Sequence, residues 1–281
     1  VIVSSRYAFL WYVVRAGKTH DLKAGQYELN GAAMSIPEIV SFMVEGKAIS
    51  RDIKVTFPEG FTLTMMADRL TAKGLPGDNF LTLATSPKPD WKQSFSFLAD
   101  LPDKATLEGY MFPDTYLFDP EATGEDIILS ILRNFDKKVP EELRVAAKAK
   151  GGSLFAVMTL ASIVEEEGRT DSDRRKISDI FWKRLAIGQP FQSDATINYV
   201  LGTYKDQPTY EDLESKSPYN TYTHAGLPPG PISNPGLVSI KAAIYPENNP
   251  YYYFLVNPKT RVTYYAIDFE GHKKNRIEQG L

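Results

Sequence analysis

Cysteine is absent from the 281 residues, which excludes disulfides, cysteine-held metals and thiol nucleophiles. Histidine is scarce. His20, His224 and His272 stand far apart and lack metal-ligand spacing. There is no G-x-S-x-G elbow, no P-loop and no G-x-G-x-x-G turn. Metal hydrolysis, serine hydrolysis and nucleotide chemistry are thereby disfavoured, and neither a metal nor a cofactor is expected. No apolar run reaches the roughly 20 residues of a membrane-spanning helix. The most apolar early run, Tyr7 to Val14, is too short and reads as a buried element. The chain begins at Val1, so a trimmed start is expected, with any membrane anchor upstream. Charge of one sign is also missing. The net charge is -3, with acids and bases scattered along the chain, whereas a nucleic-acid binder usually carries a basic face.

What is present is ordinary globular material. Hydrophobic residues make up 43% and charged residues 24%, so a packed core is expected. The length suits one large domain or two of ordinary size. Ala24 to Leu29 reads as a turn into a short strand. Ser35-Ile36-Pro37-Glu38 is a capping box with proline in the first turn of a helix that stops at Gly46. Ile53 to Phe57 alternates as a half-buried strand does. Pro58-Glu59-Gly60 turns the chain, and Thr62 or Thr64 caps a helix ending near Gly74.

Pro87, Pro89 and Pro102 mark a loop region, which gives an expected division into residues 1–100 and 101–281. Thr123 to Asp126 caps the next helix, and Pro140 opens another that Gly151-Gly152 closes. A central helix spans about Ser153 to Glu167 and a further one about Ser172 to Leu185. Asn234-Pro235 has the signature of a helix start. Tyr251 to Val256 and Val262 to Ile267 flank Asn257-Pro258-Lys259 as a hairpin. Without a regular βαβ rhythm the fold class is α+β: a small β-α module followed by a mixed catalytic domain.

The central helix ends in three consecutive glutamates. Anions at a helix C-terminus cost stability, which hints at function. Glu165 shares an apolar face with Ala161, Met158 and Leu154. A carboxyl desolvated there would rise above its usual ~4.3 and could serve as a general acid. The same position also suits a helix-end glutamate paired with Arg169 or Arg174. Glu166 lies with Ser162 and Thr159, and Glu167 with Leu160 and Ile163, so periodicity alone does not single out one carboxylate.

Gln192-Ser193-Asp194-Ala195-Thr196 and Tyr219-Asn220-Thr221-Tyr222 are polar clusters whose amides, hydroxyls and rings suit sugars. Asp194 or Thr196 equally fits a helix cap before Ile197. Gly226 to Pro231 is a stiff loop that would wall a groove or serve as a connector.

Several segments, taken together and in order, resemble one family. Glu108-Gly109-Tyr110-Met111-Phe112-Pro113-Asp114-Thr115-Tyr116 is similar to the "EGYLFPDTY" element of the endolytic murein transglycosylases, the MltG or YceG-like family. Leu160 to Glu167 resembles its "LASIVEKE" helix, and Gln192 to Thr196 its "QSDPT", with Ala195 where proline is usual. Tyr219 to Tyr222 and Gly226 to Gly236 match "YNTY" and "GLPPGPISNPG". The region from about 52 to 75 resembles the family's LysM-like part.

The resemblance implies an enzyme, a lytic transglycosylase. It would cut the bond between N-acetylmuramic acid and N-acetylglucosamine inside nascent peptidoglycan strands and leave 1,6-anhydro ends. It places the catalytic acid/base on Glu165 and implies a sugar groove of Gln192, Asp194, Thr196, Tyr219, Asn220, Thr221 and Tyr222. It further implies an extracytoplasmic location, a membrane anchor, and cell-wall synthases such as penicillin-binding proteins as partners. A hydrolytic muramidase using Glu165 with Asp194, and a non-catalytic peptidoglycan-binding scaffold, are the other two readings.

Overall fold

The structure, a computed structural model, describes residues 5–25, 27, 34–46, 51–203, 205 and 208–281. The chain divides into two compact units between Ile53 and Lys54. The division expected near residue 100 lies inside the second unit.

The first unit holds α1 (Arg6–Arg15) and α2 (Ile36–Glu45). The α2 capping box forms as the sequence predicts, with the Ser35 amide donating to Glu38 Oε2 at 2.7 Å and Gly46 closing the helix in the left-handed region. The strand expected at Ala24 to Leu29 lies largely outside the described residues. The expectation that Tyr7 to Val14 is buried does not hold. The run is one short helix with only Val13 buried, while Tyr7, Leu10, Trp11 and Val14 are exposed. Those four recur at helical spacing on one side of α1, so the helix turns a different side inward.

β1 (Ile53–Thr56) begins at the division, and the second unit continues with α3 (Leu63–Ala72), α4 (Gly77–Thr85), α5 (Pro89–Ser94) and β2 (Thr115–Phe118). Thr62, not Thr64, is the α3 cap, its Oγ1 accepting from the Met65 amide at 3.3 Å. β1 pairs with β2. Their ends are joined by the Phe57 amide donating to the Asp114 carbonyl at 2.9 Å and by the Thr56 and Thr115 hydroxyls at 2.8 Å. This pairing sets the Pro58-Glu59-Gly60 turn beside the segment from Glu108 onward. Phe97, Tyr110 and Phe135 pack ring against ring beneath it, with Phe97 and Phe135 centroids 4.7 Å apart.

Next come α6 (Gly124–Lys138), α7 (Glu141–Gly151), α8 (Leu154–Glu167), α9 (Asp171–Ala186), α10 (Asp194–Leu201), α11 (Tyr210–Leu213) and α12 (Leu237–Ile244). The chain finishes with β3 (Tyr253–Val256), β4 (Thr263–Ala266) and α13 (Phe269–Gln279). α8 is the axis. It packs against α7, α9, α10 and α12, and every residue from Val157 to Val164 is buried. A helix surrounded on all sides has no single apolar face. β3 and β4 pair antiparallel, Tyr253 opposite Ala266 and Val256 opposite Thr263, as the expected hairpin. The class is α+β.

The helix start expected at Asn234-Pro235 is displaced: α12 begins at Leu237 with Gly236 as its cap. Asn234 is instead a buried brace. Its Nδ2 donates to the Phe61 carbonyl at 2.9 Å and to Glu108 Oε1 at 2.7 Å, and its Oδ1 accepts from the Met111 amide at 2.9 Å. One side chain thus ties three separate segments together. Asn234→Ala would orphan several buried polar groups, each worth roughly 1–3 kcal/mol. Urea denaturation is expected to report a stability loss of roughly 2–4 kcal/mol, well beyond an ordinary surface substitution.

Candidate active site

The C-terminal turn of α8 delivers its three glutamates to three different surroundings. Glu165 is enclosed by two donors. Arg174 Nη2, on α9, donates to Glu165 Oε1 at 2.8 Å, and the Gly236 amide donates to Oε2 at 2.9 Å. Its side chain is 5% exposed. Glu59 closes this cluster and packs against Gly236, where an added Cβ would fall 1.8 Å from Glu59 Oε1. Burial raises the Glu59 carboxyl above its ordinary value, and the negative charge of Glu165 adds to that.

Glu166 and Glu167 line an open cleft of about 1420 Å³. Gly60, held at φ +81, lays its backbone against Glu166, and a Cβ there would sit 2.8 Å from Oε1. A side chain at that position would collide and would also resist the left-handed conformation. Glu166 Oε1 is buried without a hydrogen-bond partner. Burial pushes its carboxyl up to about 7, with repulsion from Glu165 and Glu167 adding. Glu167 accepts a 2.6 Å hydrogen bond from the Ser193 hydroxyl. Burial pushes Glu167 up to about 7 as well, with Asp194 repelling its charged form while Ser193, Arg169 and Arg184 oppose the shift.

The opposite wall comes from two polar loops. Gln192, Asp194, Tyr219 and Tyr222 line the cleft. Tyr222 donates to Asp194 Oδ1. Burial raises the Asp194 carboxyl above the ordinary aspartate range. Gln192 adopts φ 51, an unusual conformation for a side-chain-bearing residue and one that clusters at functional sites.

Thr196, Asn220 and Thr221, expected in the same groove, are buried beneath it. The Thr196 and Thr221 hydroxyls meet at 2.9 Å, and Thr221 Oγ1 accepts from the Ser193 amide at 3.1 Å. Asn220 donates to the carbonyls of Leu213 and Ser215 and accepts from the Tyr222 amide. These three hold the two loops in register, because a buried hydroxyl or amide must satisfy itself locally.

Glu108 also lines the cleft. Both its oxygens accept from the Leu63 amide at the start of α3, at 3.2 and 3.1 Å. Burial pushes it up to about 8 against those hydrogen bonds. No sequence argument singled it out as a titrating group. Its only signal is an acid placed just ahead of the apolar run Tyr110-Met111-Phe112. Among the described residues no group of three or more acidic, histidine or cysteine side chains is arranged to hold a metal ion.

The model of the YceG-like family matches residues 1–278. The chain belongs to the YceG-like family. This YceG-like chain is 35% identical over 275 residues to the endolytic murein transglycosylase of Bacillus subtilis (strain 168), covering 94% of itself and 74% of that protein. It is 30% identical over 282 residues to the endolytic murein transglycosylase of Streptococcus pneumoniae serotype 2, of which it spans 51%. A crystal structure of a yceG-like protein from Listeria monocytogenes superposes with a TM-score of 0.70 at 37% identity, covering 98% of this chain and 91% of that one.

The raised carboxyls make this YceG-like fold sensitive to alkali. Glu108, Glu166 and Glu167 bind protons in the folded state that an unfolded chain would release near the ordinary value. The native state therefore holds more protons than the unfolded one between about pH 4.5 and 8, and stability falls as pH rises through that window. The slope is at most about 1.4 kcal/mol per pH unit for each group. Thermal melts from pH 5 to 8.5 are expected to show this decline, with a shallower slope in Glu108→Gln.

Proposed function

We infer that this chain is an endolytic murein transglycosylase, a lyase that cuts peptidoglycan glycan strands. The family match and the names of the relatives support that reading. The single structural observation that carries the mechanism is a carboxyl at the cleft wall, Glu167, held near neutrality by burial and oriented by Ser193.

Glu165 was the expected acid/base. Its Arg174 and Gly236 contacts, and its place off the cleft, support a bracing role. They favour Glu167 for the chemistry. Protonated Glu167 gives its proton to the glycosidic oxygen as the C1–oxygen bond breaks. The resulting carboxylate then removes the proton from the C6 hydroxyl of the same sugar. The C6 oxygen bonds to C1, and the strand ends in 1,6-anhydro-N-acetylmuramic acid. The nucleophile belongs to the substrate, so one carboxyl serves twice, and holding that hydroxyl in place is an entropic advantage. Gln192, Asp194, Tyr219 and Tyr222 position the sugars.

A hydrolytic muramidase would need Asp194 as a second, charged carboxylate. Asp194 is engaged by Tyr222, and the relatives are named as transglycosylases and not as hydrolases, so the hydrolytic reading is not favoured. A purely binding scaffold is disfavoured by the perturbed acid in the cleft. Cleavage within nascent strands, termination of their growth, an extracytoplasmic position, a membrane anchor and synthase partners complete the proposal. Among the described residues no helix is long and apolar enough to cross a membrane. The region from about 52 to 75, which holds β1 and α3, is read as LysM-like and as a brace for α8 through Glu59 and Gly60.

Mass spectrometry of uncrosslinked glycan strands after incubation is the test. Wild-type protein is expected to give internal fragments with anhydro ends. Glu167→Gln is expected to lose at least about 10²-fold in rate, the scale of a general acid/base contribution. Glu165→Gln should retain the same products with a stability loss. Reducing ends, or inactivation confined to Glu165→Gln, would contradict the proposal.

A further inference from the structure

The cleft does not end at the carboxyls. Its lining continues onto β3, the β3–β4 turn and α13. That stretch contributes Arg261, His272 and Arg276 to the wall and no acidic side chain, whereas every acidic side chain lining the cleft comes from residues before 195. The acids of α13 are engaged elsewhere: Glu270 pairs with Lys273 at 2.6 Å and Glu278 with Lys274 at 3.8 Å. Among the described residues Arg261 and Arg276 have no ion-pair partner. They stand exposed at the cleft.

The backbone presents them firmly. Arg261 sits at φ 61, and its amide donates to the Asn257 carbonyl at 2.8 Å. Asn257 Oδ1 meanwhile accepts from the amides of Lys259 and Thr260. The turn therefore holds a side-chain-bearing residue in the left-handed region, a conformation that persists only where its surroundings enforce it.

The His272 ring stacks on Tyr253 at 5.5 Å and on Phe269 at 6.3 Å, and its buried Nδ1 has no hydrogen-bond partner. Burial and the charges of Arg276 and Arg184 hold it below its ordinary value. Arg184 links the two regions. It lies over the Tyr253 ring at 5.3 Å and interacts electrostatically with Glu167.

We propose that Arg261, Arg276 and His272 form a subsite for carboxylates of the stem peptides that hang from the glycan strand. The guanidinium forks match a carboxylate in two-point geometry, and the stacked Tyr253, Phe269 and His272 rings offer a floor for peptide side chains. The subsite makes the enzyme prefer strands that still carry their peptides over denuded ones. This rests on the transglycosylase reading above and adds selectivity to it.

The test compares wild type with the Arg261→Ala/Arg276→Ala double variant on uncrosslinked strands bearing peptides and on the same strands stripped of peptides by an amidase. The double variant is expected to lose on the order of tenfold in kcat/KM on peptide-bearing strands, as removal of charge-assisted hydrogen bonds does. On stripped strands it should stay within about twofold. A lysine double variant with an unchanged melting temperature should recover part of the loss. Equal losses on both substrates, or no loss on either, would overturn the subsite. A wild type that cuts neither strand would count against the transglycosylase reading alone. The subsite then rests on retention by immobilised strands: loss of peptide-dependent retention in the double variant supports it, and equal retention overturns it.

Discussion

Three adjacent carboxylates crowd the C-terminal end of α8, where the helix dipole is already negative, and the rest of the second unit is arranged around neutralising them. Each is handled differently. Glu165 receives a guanidinium and a backbone amide. Glu166 is covered by the Gly60 backbone, with one oxygen left unbonded. Glu167 keeps one hydroxyl partner and faces the cleft. The first arrangement compensates the carboxylate directly, while the other two favour its neutral form.

That constraint explains why distant segments must meet at one place. The Pro58-Glu59-Gly60 turn reaches α8 because β1 pairs with β2. The loop from Gly226 to Gly236 reaches it because Ser162 Oγ accepts from the Ile232 amide at 2.9 Å and Asn234 fastens the same loop to Phe61 and Glu108. Thr196, Asn220 and Thr221 do the same from below, so that Gln192, Asp194 and Tyr222 form one wall. Much of the polar residue content of these loops serves geometry, and only a part of it faces substrate.

Local signals in the sequence carried a large share of the fold. The capping boxes at Ser35 and Thr123, the cap at Thr62, the central helix beginning after Ser153 and the hairpin about Asn257 all form where their residue types direct. Tertiary demand overrode local pattern at Asn234, whose side chain braces three segments while α12 starts later. In α1 only Val13 of the apolar run is buried. The polar clusters that mark the site were legible, but buried and cleft-facing members look alike in sequence. Periodicity on α8 could not rank the glutamates, because neighbours enclose that helix on every side and its apolar residues outline no stripe. The Arg174 pairing that the sequence offered for Glu165 is present in the structure. Glu166 and Glu167 are the members of the run that line the cleft.

The account stands on Glu167 holding a proton near neutral pH within a cleft that stays accessible to a glycan strand. Carbon-13 NMR titration of glutamate side-chain carboxyls, with Glu167→Gln used for assignment, tests this directly. The account predicts a resonance that titrates near pH 7 in the wild type and is missing from Glu167→Gln. A Glu167 resonance that titrates in the ordinary range near ~4.3 would contradict it.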